Sequence, residues 1–183
     1  MIFSEIAYYK PVQCGKPSDI DWIQSQQPEL ATYNSYDLAF PASPDYSSSL
    51  ENIEISLNKI KADFEQIKNK YQFIVVEGAG GLAVPLNSQD LVSDIARVLA
   101  LPIVLVIRPD LGTINHSLLS IEHARARDLE ILGLMIAQSR QPDLSAAVIE
   151  QNKNAIKSIM SIAGVEHYEP SIHHHQFSKQ ARA

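Results

Sequence analysis

Two short runs, Phe73-Ile74-Val75-Val76 and Ile103-Val104-Leu105-Val106-Ile107, are apolar at every position instead of at alternate ones. Strands covered on both faces by helices carry that pattern, so the runs predict central parallel strands. Around them the apolar positions fall at helical spacing. Ile53, Leu57, Ile60, Phe64, Ile67 and Tyr71 recur at steps of three and four, and Ser48 and Glu51 are spaced as a capping box. Together they predict one amphipathic helix over roughly Ser49 to Lys70. The same reasoning predicts helices at Asp90 to Leu99, Ile114 to Arg127 and Ser145 to Ile162, and strands at Pro102 to Ile107 and Ile131 to Ala137. Near the start, Ile6-Ala7-Tyr8-Tyr9 reads as a strand that Pro11 ends, with Gly15 permitting a turn. Thr32 to Ser49, rich in Ser, Pro, Tyr and Asp, reads as an irregular connection long enough for a functional loop. Strand and helix alternate, which predicts an α/β fold with an open, mostly parallel sheet flanked by helices. Ligands are expected where loops leave the carboxyl ends of the strands.

Composition narrows the class. A chain of 183 residues has room for one substantial core, so a single domain over residues 1–183 is expected, and neither an internal repeat nor a linker divides it. Hydrophobic residues at 45% and charged residues at 20% exclude wholesale disorder and a fibrous repeat. A net charge of −6 with no basic block leaves no footprint for a nucleic acid or an anionic membrane. No apolar stretch approaches the roughly 20 residues needed to span a bilayer. The single cysteine, Cys14, excludes an internal disulfide and a thiolate zinc cluster, and Met1 to Lys10 lacks the pattern of a signal peptide. A reducing cytoplasm is the expected compartment.

Chemistry concentrates at a few segments. In Val76-Glu77-Gly78-Ala79-Gly80-Gly81 a carboxylate ends a buried strand and glycines follow, an arrangement that can bring backbone N–H groups to a ligand while the acid holds hydrated Mg²⁺ near phosphates. A plain glycine-rich turn is the competing reading. Lys10, at a strand exit, can neutralise a phosphate or a developing oxyanion, or simply be solvated. Asp19 and Asp21 can supply a second metal carboxylate or charge the first turn of a helix. Leu111-Gly112-Thr113-Ile114-Asn115-His116 opens a helix whose free N–H groups could receive a carboxylate or phosphate, with ordinary capping by Thr113 or Asn115 as the alternative. Cys14 has no activating base nearby in sequence and reads as a small turn residue. His173-His174-His175 reads as tail decoration, and His116 with His123 lacks the partners of a zinc site. The phosphate-loop pattern GxxxxGK[ST] is absent, and Gly15-Lys16-Pro17 is no disguised match.

Taken in order, YKPVQCG, the FPASP segment at Phe40 to Pro44, VVEGAGGLAVPL, LPIVLV and LGTINHSLLSIEHAR resemble dethiobiotin synthetase, a ligase of the P-loop NTPase class, from about Tyr8 to at least Ala137. The resemblance implies a P-loop NTPase-like fold and ATP-dependent carboxylation and ring closure of 7,8-diaminononanoate with CO₂, in biotin biosynthesis. It implies Mg²⁺ as cofactor, ATP as co-substrate and a homodimer. By resemblance, Lys10 contacts the transferred phosphate and the carbamate. Glu77 is the metal-linked glutamate at the nucleotide, Asp21 the metal-linked aspartate with Asp19 as alternative, Gly80 lies in the substrate-side turn, and Cys14 is a further substrate-binding position. Gly112, Thr113, Ile114 and Asn115 would receive the substrate's distal carboxylate across the dimer interface. The adenine-contacting position corresponds to Ala137 or Gln138.

Three departures stand out. Cys14 takes the place of a Ser or Thr, Asp45 that of a histidine, and Ala137 or Gln138 that of an asparagine. By the same resemblance the chain is expected to be N-terminally truncated, beginning inside the first helix and lacking the strand and phosphate loop before it. A missing central strand would leave unpaired backbone groups and an uncovered apolar face, each unpaired buried group costing about 1 to 3 kcal/mol. The readings are therefore an active ligase, a noncatalytic substrate-binding or dimerisation fragment, and a related ATPase acting on another acid.

Overall fold

The computed structural model describes residues 5–137, 145–163 and 167–168. The chain divides into two compact units, Met1–Ile103 with Ser120–Glu130, and Val104–Leu119 with Ile131–Ala183.

The first unit is built on a parallel sheet in the order β2-β1-β3, formed by β1 (Ile6–Cys14), β2 (Ala31–Leu38) and β3 (Phe73–Val76). Its helices are α1 (Asp19–Gln26), α2 (Pro44–Leu50), α3 (Leu57–Lys68) and α4 (Val92–Leu99). Ile60, Phe64 and Ile67, the predicted apolar stripe of α3, are buried in one cluster with Tyr9, Val12, Leu38 and Ile95. Tyr9 ties that helix to the sheet, its ring stacked on Phe64 and its hydroxyl bonded to the Ile60 carbonyl and Ser35. The second sheet has the order β4-β5-β6, with β4 (Ile103–Ile107), β5 (Ile131–Ile136) and β6 (His167–Tyr168). Its β5 and β6 pair in parallel. The remaining helices are α5 (Thr113–Ala126) and α6 (Ala146–Ala163).

Four expectations need correction. β1 does not end before Pro11 but runs on to Cys14, paired with β2 on either side of the proline through Lys10↔Asn34 and Val12↔Tyr36. Pairing with β3 stops at Tyr9, so from there β1 has, among the described residues, a neighbour on one side only, where a residue without an N–H is tolerated. The supposed irregular stretch from Thr32 to Ser49 contains most of β2 and all of α2 but its last residue. Its polar residues lie on a lightly buried outer strand, with only Tyr36 and Leu38 inside. The single helix expected over Ser49 to Lys70 is two. Asn52 takes a left-handed φ of 53°, the chain passes without helix through buried Ile55, and α3 begins after Ser56. Ser48 and Glu51 form no capping box, because the Ser48 hydroxyl donates to the Asp45 carbonyl and the Glu51 carboxylate accepts from Ala39 N–H. Finally, β3 and β4 are not covered on both faces among the described residues: Phe73 and Val75 are 57% and 59% exposed, Val104 and Val106 44% and 65%.

Candidate functional site

β1 carries its side chains alternately to opposite faces, so Tyr8 and Lys10 share one. Parallel pairing of Tyr9 with Val76 sets the end of β3 beside them, and Glu77 N–H closes the ladder on the Tyr9 carbonyl at 2.9 Å. Both oxygens of Glu77 are thereby engaged: Lys10 Nζ donates to Oε1 at 2.9 Å and the Tyr8 hydroxyl donates to Oε2 at 2.8 Å. Lys10 also donates to the Gly78 carbonyl at 3.0 Å. The chain then turns through Gly80, whose φ of 81° is left-handed and unfavourable for a side chain.

The second carboxylate comes from the start of α1. Asp19 Oδ2 lies 2.7 Å from Lys10 Nζ. Buried Gln13 holds that helix start in place, its Oε1 accepting from Asp19 N–H at 3.1 Å while its amide donates to the Cys14 and Gly15 carbonyls. Asp21, preferred by resemblance, is not at Lys10. Its carboxylate accepts from Ser18 N–H and Ser18 Oγ accepts from Asp21 N–H, a capping box that satisfies the first turn of α1. Those hydrogen bonds, with Lys16 nearby, hold the Asp21 carboxyl below its usual range. The sequence left the two aspartates open, and two residues at about 100° of helical rotation each send them to different partners.

Burial, reinforced by the hydrogen bond to Glu77 and its charge, pushes the Tyr8 phenol well above its ordinary range, so it stays a donor. Burial likewise pushes the Cys14 thiol up, outweighing the Ser47 hydroxyl and the Lys10 charge, which fits a lining residue and not a nucleophile. Lys10, Asp19, Cys14 and Gly80 line a cleft of ≈ 350 Å³ that Ser43 and Pro44 close from the other side. Asp45, in the first turn of α2 behind that rim, keeps a buried Oδ1 with no hydrogen-bond partner. A larger, polar cleft of ≈ 580 Å³ between Glu54, Asn58, Asn87 and Asp90 has no basic side chain in its lining and so nothing to receive a phosphate.

The remaining candidates lie in the second unit. Gly112 turns with φ 88°, Thr113 N–H donates to the Asp110 carbonyl, and α5 starts with Thr113 buried and Ile114 and Asn115 exposed. Asn152 of α6 fixes the approach, donating to the Pro109 carbonyl at 3.0 Å. Ala137 donates to the Ile107 carbonyl at the end of β5. Gln138 and His173 to His175 lie outside the described residues. In the first unit, His123 packs on Ser93, with Nε2 3.0 Å from Oγ. Tyr8 and Gln13 were missed by sequence reasoning. Ending the strand at Tyr9 hid the period of two that would have put Tyr8 on the face of Lys10.

A family model described as an AAA domain matches residues 2–171. The ATP-dependent dethiobiotin synthetase BioD of Methanococcus vannielii is 40% identical over 137 residues, 72% of this chain and 64% of the relative. That of Brucella ovis is 31% identical over 178 residues, 94% of this chain and 81% of the relative. The chain thus spans about two thirds of the length of several relatives it matches, 64% for M. vannielii and for Methanocaldococcus jannaschii. Among solved structures, the MinC:MinD cell division protein complex of Aquifex aeolicus contains a chain that aligns with a TM-score of 0.52 over 91% of this chain and 68% of its own, at 14% identity. That likeness speaks for the α/β fold alone. With the family model over most of its length and a relative covered across four fifths of its own, this chain belongs to the dethiobiotin synthetase family.

Proposed function

We propose that the chain carries the lysine and carboxylate part of a site for ATP-dependent carboxylation and ring closure of 7,8-diaminononanoate to dethiobiotin. The observation that carries this reading is one ammonium, Lys10, held between Asp19 and Glu77, with Lys10, Asp19 and the left-handed Gly80 lining a single cleft. In that chemistry an amine of the substrate takes up CO₂, the carbamate oxygen attacks the γ-phosphate of ATP, and the second amine displaces phosphate to close the ring. Charge develops on the transferring phosphoryl group, where a fixed ammonium is worth most. Lys10 supplies it. Cys14 and Gly80 border the space for the reacting end of the substrate.

The donor set fits Mg²⁺. Asp19 and Glu77 are hard oxygen donors, about half exposed at 48% and 51%, and converge on one point. Among the described residues no group of three or more His, Cys, Asp or Glu gathers there, and Mg²⁺ is normally held by one or two carboxylates with the rest of its shell from phosphates and water. Asp19 and Glu77, in place of the Asp21 first favoured, would hold the ion. When bound it supplies charge neutralisation on the phosphate oxygens.

Gly112 to Asn115 would take the distal carboxylate across a homodimer interface. Exposed Leu111, Ile114, Leu118 and Leu119 at the start of α5 support such an interface. Nucleotide base contact falls to Ala137 or Gln138. No helix among the described residues is long and apolar enough to cross a membrane, and a cytoplasmic site of action accords with the biosynthetic chemistry. A second reading has one observation in its favour: these 183 residues contain no GxxxxGK[ST], so a substrate-binding or dimerisation fragment is the alternative. ADP release with diaminononanoate and bicarbonate separates the two. Turnover that falls about 100-fold or more in Lys10→Ala supports the ligase. Substrate binding by calorimetry without turnover supports the fragment, and no heat with diaminononanoate removes both in favour of an ATPase for another acid.

A further inference from the structure

The charge of Lys10 is already paired. Its ammonium forms ion pairs with Asp19 Oδ2 at 2.7 Å and Glu77 Oε1 at 2.9 Å, and it donates hydrogen bonds to that Glu77 oxygen and to the Gly78 carbonyl at 3.0 Å. Its side chain is only 7% exposed. To meet an anion with its full charge it must leave these carboxylates, and they are the ones assigned above to the divalent cation.

Resting on that assignment of Asp19 and Glu77, we propose that Lys10 is the cation's placeholder: ammonium and metal compete for the same two carboxylates, so that loading the metal is what frees Lys10 for the incoming phosphate. Without the metal, the ion pairs keep two facing carboxylates from repelling each other. On exchange the pair is neutralised from the other side, and Lys10, unpaired in a sheltered cleft, gains its stabilisation only from a new anion. Tyr8 has the opposite part. It holds Glu77 by Oε2, the oxygen Lys10 does not use, and so keeps the carboxylate aimed while Oε1 changes partner. Each carboxylate oxygen has a second lone pair, so this hold does not block a metal.

The two neighbours of Glu77 therefore have effects of opposite sign on metal affinity. Mn²⁺ binding to the full chain, free of nucleotide, is measured by the loss of the free-ion paramagnetic resonance signal. Lys10→Met is expected to bind Mn²⁺ about tenfold more tightly than wild type, by removing the competing charge. Lys10→Gln repeats the measurement in a polar side chain should the methionine fail to fold. Tyr8→Phe is expected to bind more weakly, whereas general damage to the site would weaken all three. In the wild-type chain, the ¹³C-labelled Cε of Lys10, assigned with Lys10→Arg, should shift on adding Mg²⁺ along the binding curve. Unchanged or weaker binding in both uncharged Lys10 variants, or a Lys10 signal that stays put while Mg²⁺ binds, overturns the placeholder and leaves the carboxylate assignment standing. Absence of Mn²⁺ binding in wild type and variants alike overturns the assignment and the placeholder together.

Discussion

Gly15 and Gly81 each follow a cleft-lining residue, Cys14 and Gly80, and should respond differently to the same substitution. A Cβ on Gly15 would meet the Pro41 Cβ at 2.5 Å, on a backbone with φ 76°, while one on Gly81 would meet nothing within 4 Å. Gly15→Ala is expected to cost about 2 to 4 kcal/mol and Gly81→Ala to stay within about 0.5, read from urea denaturation midpoints. Ser117 gives the opposite case. Its hydroxyl, 1% exposed on the inner side of α5, has no partner, so Ser117→Ala should raise stability by up to about 1 kcal/mol in the same assay. A carboxylate at a strand end followed by a glycine turn drew attention to Glu77 locally, whereas Lys10 stood out only through the resemblance. That Asp19 and not Asp21 pairs with Lys10 was not legible, since it depends on which way the first turn of α1 faces β1, where Ser18 and Gln13 hold it.

At the scale of elements, α4 is anchored by one buried carboxylate. Asp94 accepts from Leu91 N–H at 2.8 Å, from Arg97 within its own helix and from Arg127, just beyond the end of α5, at 3.1 Å. Burial pushes its pKa up, but these hydrogen bonds and charges outweigh burial and leave it below the usual carboxylate value. A lowered folded pKa stabilises above the unfolded value of about 3.9 and loses that stabilisation as the pH falls through the folded one. Wild type should therefore lose stability on acidification below about pH 4, and Asp94→Asn, less stable at neutral pH, should show a flatter acid limb in denaturation midpoints. The bounds of α4, α5 and α6 were legible in sequence to within two residues, and so was the apolar stripe of α3, but not its start. The break at Asn52 was not, because Ile53 kept the helical spacing while the backbone did not. β2 was lost for a related reason: an outer strand buries little, and its Ser, Asn and Asp imitate a loop.

For the molecule as a whole, the unburied apolar side chains have a consequence in solution. Leu111, Ile114 and Leu118 form an exposed stripe at the start of α5, Leu111 at 76%, and Phe73 and Val75 are bare on β3. Sedimentation should show concentration-dependent association, and Leu118→Glu should shift it toward monomer without changing the circular dichroism of the chain. The α/β class was legible from two continuous apolar runs, whereas the exposure of their faces was not, because hydrophobicity states what a strand would bury and not what stands beside it. Whether the cleft on Lys10 is the seat of the family's reaction is tested most directly by the rate of dethiobiotin formation, followed by mass spectrometry, in Asp19→Asn against Asp21→Asn. The account predicts a fall of about 100-fold or more in Asp19→Asn and little change in Asp21→Asn beyond about 1 kcal/mol of stability from a weakened cap. Full activity in Asp19→Asn, a collapse in Asp21→Asn alone, or no product from the wild-type chain would contradict it.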